Sequence, residues 1–180
     1  MKKLMLAGLL AAFTVAPLAL AFPIVGGAPM LPTKDIVDNA VNSKDHTTLV
    51  AAVKAAGLVE TLKSAGPFTV FAPVNEAFAA LPAGTVDSLL LPENKAKLVG
   101  ILTYHVVPGT YSYETLAKAI KDGGGKATLT TAAGGTLTAS MKGSFMVVSD
   151  ANGGSAKVRQ ADIFQSNGVI HSIDKVLLPK

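Results

Sequence analysis

The sequence contains no cysteine and no tryptophan, and aromatic residues account for only 6% of its 180 positions. Without cysteine the protein has no disulfides and no thiolate metal ligands, so an apolar core must stabilise the fold. The shortage of aromatic rings leaves little material for a sugar-stacking platform. Hydrophobic residues make up 49% of the chain, which is sufficient for the core of one ordinary domain.

Charged residues are also few, and their balance is close to neutral. The chain has 16 Lys and Arg against 12 Asp and Glu, which is a formal net charge of +4. Two of these lysines are Lys2 and Lys3, so the rest of the chain has 14 basic and 12 acidic residues and a net charge of +2. Because no run of Lys and Arg concentrates this small excess, we expect no nucleic acid among the partners.

The N-terminus has the parts of an export signal. Two lysines precede an almost wholly apolar run from Leu4 to Leu20, and Ala19-Leu20-Ala21 fits the small-x-small cleavage pattern. The run is short for a membrane-spanning helix, Pro17 interrupts it, and no basic stop-transfer segment follows. We therefore predict a signal peptide over residues 1–21 and a secreted or periplasmic mature chain that has no transmembrane segment.

Residues 22–32 are rich in proline and glycine, which is typical of a linker, and we expect one domain over residues 33–180. Helical patterns dominate the first half of this domain and strand patterns the second. The predicted helices lie at 35–41, from 45 to the Gly66-Pro67 turn, at 75–81 with Asn75 as N-cap, and from 92 to Tyr104. The predicted strands lie at 68–72, at 128–130 and 137–139 as a hairpin, at 145–148, around Val158, and after Asn167-Gly168. This segregation predicts an α+β fold and not an alternating βαβ sheet.

No arrangement of residues in the sequence indicates catalysis or a cofactor. The three histidines, His46, His105 and His171, lie far apart and lack the spacing of metal ligands, so we expect no bound metal. His171, Ser172 and Asp174 are the residue types of a hydrolase triad, but neighbours on a strand point to opposite faces. The chain also lacks a G-x-S-x-G elbow. We therefore predict that the protein is not an enzyme.

Two of the histidines stand in apolar surroundings. His105 follows Tyr104 at a junction between a predicted helix and a short strand, and His171 lies among Ile170, Ile173 and Val176. Buried polar groups are almost always hydrogen-bonded. We interpret both imidazoles as partly buried groups that bind backbone atoms and stabilise these junctions.

Three stretches of the chain resemble, in their order and spacing, a fasciclin (FAS1) domain. They are Gly66 to Phe78 (GPFTVFAPVNEAF), Leu102 to Gly109 (LTYHVVPG) and Asn167 to Pro179 (NGVIHSIDKVLLP). The FAS1 family consists of secreted or surface adhesion and matrix modules. The resemblance covers roughly residues 33–179 and implies a β-sandwich-like wedge flanked by helices.

The same resemblance implies two candidate partner-binding positions. In some animal members the stretch around the Tyr-His pair is implicated in integrin binding, and it falls here on Tyr104 and His105. An Asp-Ile pair is implicated in the same recognition and falls here on Asp162 and Ile163, which we expect in a loop between strands. The alternative for the second pair is structural, with Ile163 packed inside and Asp162 capping a turn.

These observations favour an exported module that binds a cell-surface or extracellular protein, or a matrix polymer, without catalysis. The alternative is a carrier of a small hydrophobic ligand, held in a groove between the helices and the sheet. An extended apolar surface patch would favour the first function. A closed pocket with a few convergent polar groups would favour the second.

Overall fold

A computed structural model of the chain describes residues 21–180, so the predicted signal peptide lies outside the described residues except for Ala21. Within this range the chain forms seven α-helices and nine β-strands. The helices are α1 (Ile36–Ala40), α2 (Thr47–Ala56), α3 (Val59–Lys63), α4 (Asn75–Ala79), α5 (Thr85–Leu89), α6 (Lys95–Tyr104) and α7 (Tyr113–Asp122), with 3-10 turns at Lys44–His46 and Pro92–Asn94. The strands are β1 (Ile24–Val25), β2 (Ala28–Pro29), β3 (Phe68–Pro73), β4 (Val106–Pro108), β5 (Lys126–Thr130), β6 (Thr136–Lys142), β7 (Phe145–Ser149), β8 (Ser155–Gln165) and β9 (Gly168–Ile173).

Seven of the strands form one sheet in the order β4-β3-β9-β8-β7-β6-β5. The β3–β9 pair is parallel, and the other neighbouring pairs of this sheet are antiparallel. Long β8 joins the two halves, because Ser155–Lys157 pairs with β7 whereas Val158–Gln165 pairs with β9. The two ends of the sheet also meet, since the backbone nitrogen of Ala132 donates to the carbonyl oxygen of Val106 at 2.7 Å. The predicted α+β fold, with its wedge of strands and its N-terminal helices, is confirmed.

Two apolar cores lie on opposite faces of this sheet. Side chains of a strand alternate between faces, and β3 shows this directly: Val70 and Ala72 belong to the first core, whereas Phe71 belongs to the second. The first core contains the buried sides of α1, α2 and α6. The second core lies between the sheet and α7, which contributes Leu116 and Ile120.

The predicted linker over residues 22–32 is corrected by the structure. Residues of this segment form the β1–β2 hairpin around Gly26 and Gly27. Val25 and Met30 are only 5% and 2% exposed and belong to the first core. Burial of these two apolar side chains attaches most of the segment to the domain.

The predicted N-cap role of Asn75 is also wrong. Val74 occupies the N-cap position of α4, and Asn75 is the first helical residue. Its Oδ1 instead accepts a hydrogen bond from the backbone nitrogen of Thr48 at 3.0 Å, in the first turn of α2. Its Nδ2 donates to the carbonyl oxygen of Lys44 at 2.8 Å. Asn75 therefore caps a neighbouring helix and joins α4 to α2.

The predicted turn at Asn167-Gly168 precedes β9. The side chain of Asn167 also binds two helices, α1 and α3. Asn167 Oδ1 accepts from the backbone nitrogen of Ile36 at 3.0 Å, and Nδ2 donates to the carbonyl oxygen of Leu62 at 2.7 Å. A Cβ on Gly168 would lie 2.1 Å from the carbonyl oxygen of Phe68. Only glycine therefore fits at the position where β9 begins to pair with β3.

Candidate interaction site

Tyr104 ends α6 inside the protein, where it binds the start of β6 and the turn between β7 and β8. The residue is 1% exposed, and its hydroxyl donates to the carbonyl oxygen of Thr136 at 2.7 Å. The same oxygen accepts from the backbone nitrogen of Ala151 at 3.1 Å. Its ring lies so close to Gly135 that a Cβ there would be 2.7 Å from ring atom Cε2. Burial raises the pKa of the Tyr104 hydroxyl, which stays neutral at physiological pH.

His105 uses both ring nitrogens for backbone hydrogen bonds. Nδ1 lies 2.8 Å from the carbonyl oxygen of Ile101, and Nε2 accepts from the backbone nitrogen of Leu177 at 2.9 Å. Because Nε2 is an acceptor, the neutral ring must carry its proton on Nδ1. Burial lowers the pKa of His105 from 6.5 to about 4. The predicted structural role of this imidazole is confirmed.

His171 is the second structural histidine, and its ring donates from Nε2 where that of His105 donates from Nδ1. Its Nε2 lies 2.7 Å from the carbonyl oxygen of Tyr111 and must donate, whereas Nδ1 faces the backbone nitrogen of Asp162 at 3.4 Å. The ring stacks on Phe71, with 5.6 Å between ring centroids. Burial lowers the pKa of His171. The ring therefore joins β9 to the segment before α7 as a neutral group.

Asp162 lies in β8 and not in a loop, which corrects the sequence prediction. It sits in the irregular part of the strand, where the register shifts between Gln160 and Ile163, and its φ is 57°. This left-handed conformation is unusual for a residue other than glycine, although Asp and Asn tolerate it better than most. Asp162 Oδ1 accepts from the backbone nitrogen of Tyr113 at 2.7 Å, at the start of α7. The carboxylate therefore stabilises a helix start that is distant in sequence.

The two residues after Asp162 face different surroundings. Ile163 is 1% exposed and packs in the first core. Phe164 is 45% exposed and presents a large apolar ring at the surface. Of the four predicted contact residues, Tyr104, His105 and Ile163 are thus buried, and only Asp162 reaches the surface. Partner binding at these four positions stays a prediction.

His105 and Ile163 both line an apolar cavity inside the first core. Its volume is about 90 Å³, and apolar atoms form nearly all of its wall. Side chains of α2, α3 and the sheet line it, among them Val53, Leu62 and Ile170.

Sequence reasoning missed a buried chain of hydrogen bonds through His46. Its Nδ1 lies 2.9 Å from Ser43 Oγ and its Nε2 lies 2.9 Å from Ser172 Oγ, on a strand 126 residues away. Ser172 and His46 are hydrogen-bonded in the way that the nucleophile and the base of a hydrolase triad are. The third position of such a triad, on the other ring nitrogen, is filled here by Ser43 and not by a carboxylate. Both ring nitrogens are thus bound to serine hydroxyls, and no carboxylate within residues 21–180 is hydrogen-bonded to the ring to stabilise an imidazolium. Burial lowers the pKa of His46, which also favours the neutral ring. No local signal in the sequence indicates this contact.

Neither a metal cluster nor a membrane-crossing helix is found in the described range. Residues 21–180 contain no group of three or more His, Cys, Asp or Glu side chains placed to hold a metal ion. None of the helices in the same range combines the length and the apolar character that crossing a membrane requires.

The architecture defines a FAS1-like α+β protein: a seven-stranded sheet, helices concentrated in the N-terminal half, and a buried Tyr-His junction bound to the C-terminal segment. The sequence profile of the Fasciclin domain matches residues 44–179. The chain therefore belongs to the fasciclin domain family.

Similar proteins come from bacteria and animals. Protein sll1483 of Synechocystis is 54% identical over 144 residues, which cover 80% of this chain and 73% of that protein. Immunogenic protein MPB70 of Mycobacterium bovis is 37% identical over 145 residues, with 78% of this chain and 66% of that protein covered. Transforming growth factor-beta-induced protein ig-h3 of Sus scrofa is 39% identical over 148 residues, but the match spans only 20% of its length.

A solved FAS1 domain pair from the insect cell adhesion molecule fasciclin I has a similar fold. The TM-score is 0.71 at 18% sequence identity, and the match covers 81% of this chain. The chain spans about half, 51%, of that two-domain structure. At this level of identity the likeness concerns the fold alone.

Proposed function

We propose that this protein is an exported interaction module that binds a cell-surface or extracellular protein, or a matrix polymer, without catalysis. Membership of the fasciclin family supports this role, and a solved relative of the fold comes from a cell adhesion molecule. The observation that carries the proposal is the exposed ring of Phe164, which lies two positions after the half-buried Asp162 on β8.

The surface formed by Asp162 and Phe164 suits the docking of a protein partner. Aromatic residues are enriched at interfaces, where one apolar anchor often supplies much of the binding energy. The backbone beneath Phe164 is fixed, because Ile163 packs in the core and Asp162 binds the start of α7. A fixed anchor loses little conformational entropy on binding. Ile163 supports this surface from inside, whereas Tyr104 and His105 are buried at the end of α6. Asp162 is the predicted contact residue that a partner would reach.

A pull-down from the native extracellular fraction, with the chain as bait, tests this surface. Phe164→Ser should lower capture of the bound partner at least tenfold while leaving the unfolding temperature unchanged. Leu91→Ser is a matched control, since Leu91 is also 45% exposed but lies before α6. Equal capture by the wild type and the Phe164 variant would place the docking surface elsewhere.

Export is the second part of the proposal, and its support is the sequence of residues 1–21. Cleavage after Ala21 would leave a mature chain that begins at Phe22. Intact-mass spectrometry of periplasmic or secreted material measures this terminus directly. Recovery of the chain with Met1 in a membrane fraction would contradict the cleavage.

The cavity in the first core favours a second candidate function, the binding of a small apolar molecule. A lipid or a drug-sized ligand needs about 300 Å³ or more, so a cavity of about 90 Å³ admits only a much smaller guest. An engineered apolar cavity of about 150 Å³ stays dry and binds benzene or xenon. The apolar wall offers little to a guest with hydrogen-bonding groups.

Xenon and benzene are therefore the probes for this cavity. We expect xenon to shift the NMR methyl signals of Val53 and Ile170, and benzene to do so if the cavity widens slightly. Phenol is the matched control, because its hydroxyl would be buried without a partner. Val53→Leu should reduce the xenon response by filling part of the space. Absence of any xenon-dependent shift would eliminate this function.

A further inference from the structure

The outer face of strands β5 to β8 has an unusual composition. Cα partners run across all four strands in one row: Lys126, Ser140, Val147 and Lys157. A second row pairs Lys142 with Phe145. Val147 is only 6% exposed, so the other five residues make up what we call the basic sheet face: Lys126, Ser140, Lys142, Phe145 and Lys157.

Strand alternation places this face away from the second core. The neighbouring residues on the same strands, such as Ala127, Ala139 and Ala156, point into that core beside α7. Lys126, Lys142 and Phe145 are instead among the exposed residues. The alternation of lysine and hydroxyl residues along β5 and β6 is visible in the sequence, but only the register brings the lysines of three strands together.

A further row supplies hydroxyl groups next to the basic sheet face. It consists of Thr128, Thr138, Ser149 and Ser155, one from each strand. Hydroxyl side chains both donate and accept hydrogen bonds. The surface therefore combines positive charge with a band of groups suited to bind another hydroxyl-rich molecule.

The positive charge of this face is not neutralised by ion pairs. Within residues 21–180 none of Lys126, Lys142 and Lys157 takes part in a salt bridge. Lys157 Nζ lies 3.2 Å above the centroid of the Phe145 ring, which fixes both side chains without removing the charge. Asp174 is a carboxylate next to Lys157, and its Oδ1 accepts the backbone N–H of Lys157 at 2.7 Å. The carboxylate of Asp174 is therefore already engaged by a backbone group.

We propose that the basic sheet face binds an acidic polysaccharide, whose carboxylate or sulfate groups pair with the three lysines. Neighbouring strands are about 4.8 Å apart, so Lys126 and Lys157 are separated by about 14 Å across the sheet. An extended chain of a few sugars spans that distance. Its ring hydroxyls can bind the row of Thr and Ser side chains, and Phe145 holds Lys157 in position for an acidic group.

The same features are unfavourable for a protein partner. Lysine and serine are depleted in protein interfaces, and such interfaces need a central apolar anchor in a pocket. The proposal rests on the proposed interaction role, but it shares no residue with the surface of Asp162 and Phe164. The two surfaces can therefore fail independently.

Binding of the full chain to immobilised alginate and dextran sulfate, with neutral dextran as reference, tests the proposal. We expect binding to both acidic polymers, none to dextran, and a marked loss of affinity between 50 and 200 mM salt, because released counterions drive such contacts. The triple variant Lys126→Gln, Lys142→Gln, Lys157→Gln should lower the affinity at least tenfold. Phe145→Ala should lower it about threefold.

The matched control changes the same charge elsewhere. Lys54, Lys95 and Lys97 are exposed on α2 and α6 and form no salt bridge within the described residues. Their triple change to Gln should leave the affinity within twofold of wild type, and both triple variants should keep the wild-type melting temperature. Equal losses in the two triple variants, or no binding to either acidic polymer at 50 mM salt, would overturn the proposal.

Two further measurements distinguish this proposal from nucleic-acid binding and from the docking of a protein at Phe164. Tighter binding to duplex DNA than to dextran sulfate would assign the face to nucleic acid and overturn the proposal. Phe164→Ser should keep full affinity for the acidic polymers. If that variant loses its protein partner but binds alginate normally, both proposals stand; if wild type captures no protein yet binds alginate, only the docking surface of Phe164 fails.

Discussion

The imidazole of His105 binds the backbone of Leu177, a residue 72 positions further along the chain, at 2.9 Å. Its other nitrogen binds the carbonyl oxygen of Ile101 in the preceding helix. The adjacent Tyr104 binds Thr136 at the start of β6 and Ala151 in the turn between β7 and β8. Two consecutive side chains at the end of α6 therefore hold three distant segments in place.

The two structural histidines should carry their protons on different nitrogens. His105 donates from Nδ1 to Ile101, whereas His171 donates from Nε2 to Tyr111. Long-range ¹H–¹⁵N NMR spectra at neutral pH distinguish these two tautomers directly. We expect one ring of each kind, and identical tautomers for both rings would contradict the hydrogen-bond assignment.

Acid should destabilise the protein well above the usual range of carboxylate titration. Because burial lowers the pKa of His105 from 6.5 to about 4, the unfolded chain binds more protons between these values. The free energy of unfolding should therefore fall as the pH falls, by about 2 kcal/mol from His105 alone between pH 7 and pH 5. The pKa values of His46 and His171 are lowered too, so both add a loss of the same sign. Urea unfolding at each pH measures this slope.

His105→Gln is the control for the pH dependence of the free energy of unfolding. The variant will be less stable at every pH, but it should lose less stability than wild type on going from pH 7 to pH 5. The lowered pKa of Asp38 lies outside this window, because its ordinary value is already 3.8. Parallel pH curves for the two proteins would show that His105 does not contribute to acid sensitivity.

Removal of the Tyr104 hydroxyl should destabilise the fold without changing its shape. Tyr104→Phe leaves the carbonyl oxygen of Thr136 and the backbone nitrogen of Ala151 without this partner. A buried group that loses its hydrogen bond costs about 1–3 kcal/mol. Tyr113→Phe is the comparison, since within residues 21–180 that residue bonds through its backbone nitrogen and not through its hydroxyl. Chemical unfolding should show a clear loss for the first variant and less than about 0.5 kcal/mol for the second.

The stability of the fold should depend on the hydrogen-bond acceptor and the backbone conformation at Asp162, and not on its negative charge. Asp162→Ala removes the acceptor of the Tyr113 N–H and places alanine at a φ of 57°. We expect a loss of about 1–3 kcal/mol in the free energy of unfolding. Asp162→Asn keeps an oxygen acceptor and tolerates this backbone, so its stability should stay near wild type. If both variants unfold like wild type, the contact with α7 contributes nothing.

Two glycine-to-alanine changes should have opposite signs. In Gly168→Ala the new Cβ would lie 2.1 Å from the carbonyl oxygen of Phe68, so the β3–β9 pairing must shift. We expect a loss of about 3 kcal/mol or more. Gly100 lies inside α6, and a Cβ added there would have open space for 4 Å around it, so Gly100→Ala should gain about 0.5–1 kcal/mol. Thermal melts of the two variants give both signs in one experiment.

Local patterns in the sequence predicted most elements of the fold, because their signals lie within a few residues. The hairpin of β5 and β6 and the turn at Asn167-Gly168 are examples. Helix α7 was not predicted. Its only buried residues are Leu116 and Ile120, so it depends on the Ser112 cap and on packing against the sheet. Helix α5 was missed for a similar reason, since Leu89 is its single buried residue.

The candidate site was predictable only in part. The structural roles of His105 and His171 follow from their apolar neighbours, and the structure confirms them. The contact of Asp162 with Tyr113 could not be predicted, because it joins residues 49 positions apart. The burial of Val25 has the same origin, since it arises from docking of the β1–β2 hairpin onto the first core. Contacts set by tertiary packing leave no periodic signal in a single sequence.

The central place of β9 has a consequence for how the chain reaches its folded state. Phe68 pairs with Gly168, and β9 contributes Ile170 to the first core and Ile173 to the second. Neither core is complete until this strand has been synthesised and released. Such long-range pairing is typical of slow folding. A chain that has not yet released β9 from the ribosome therefore cannot close either core.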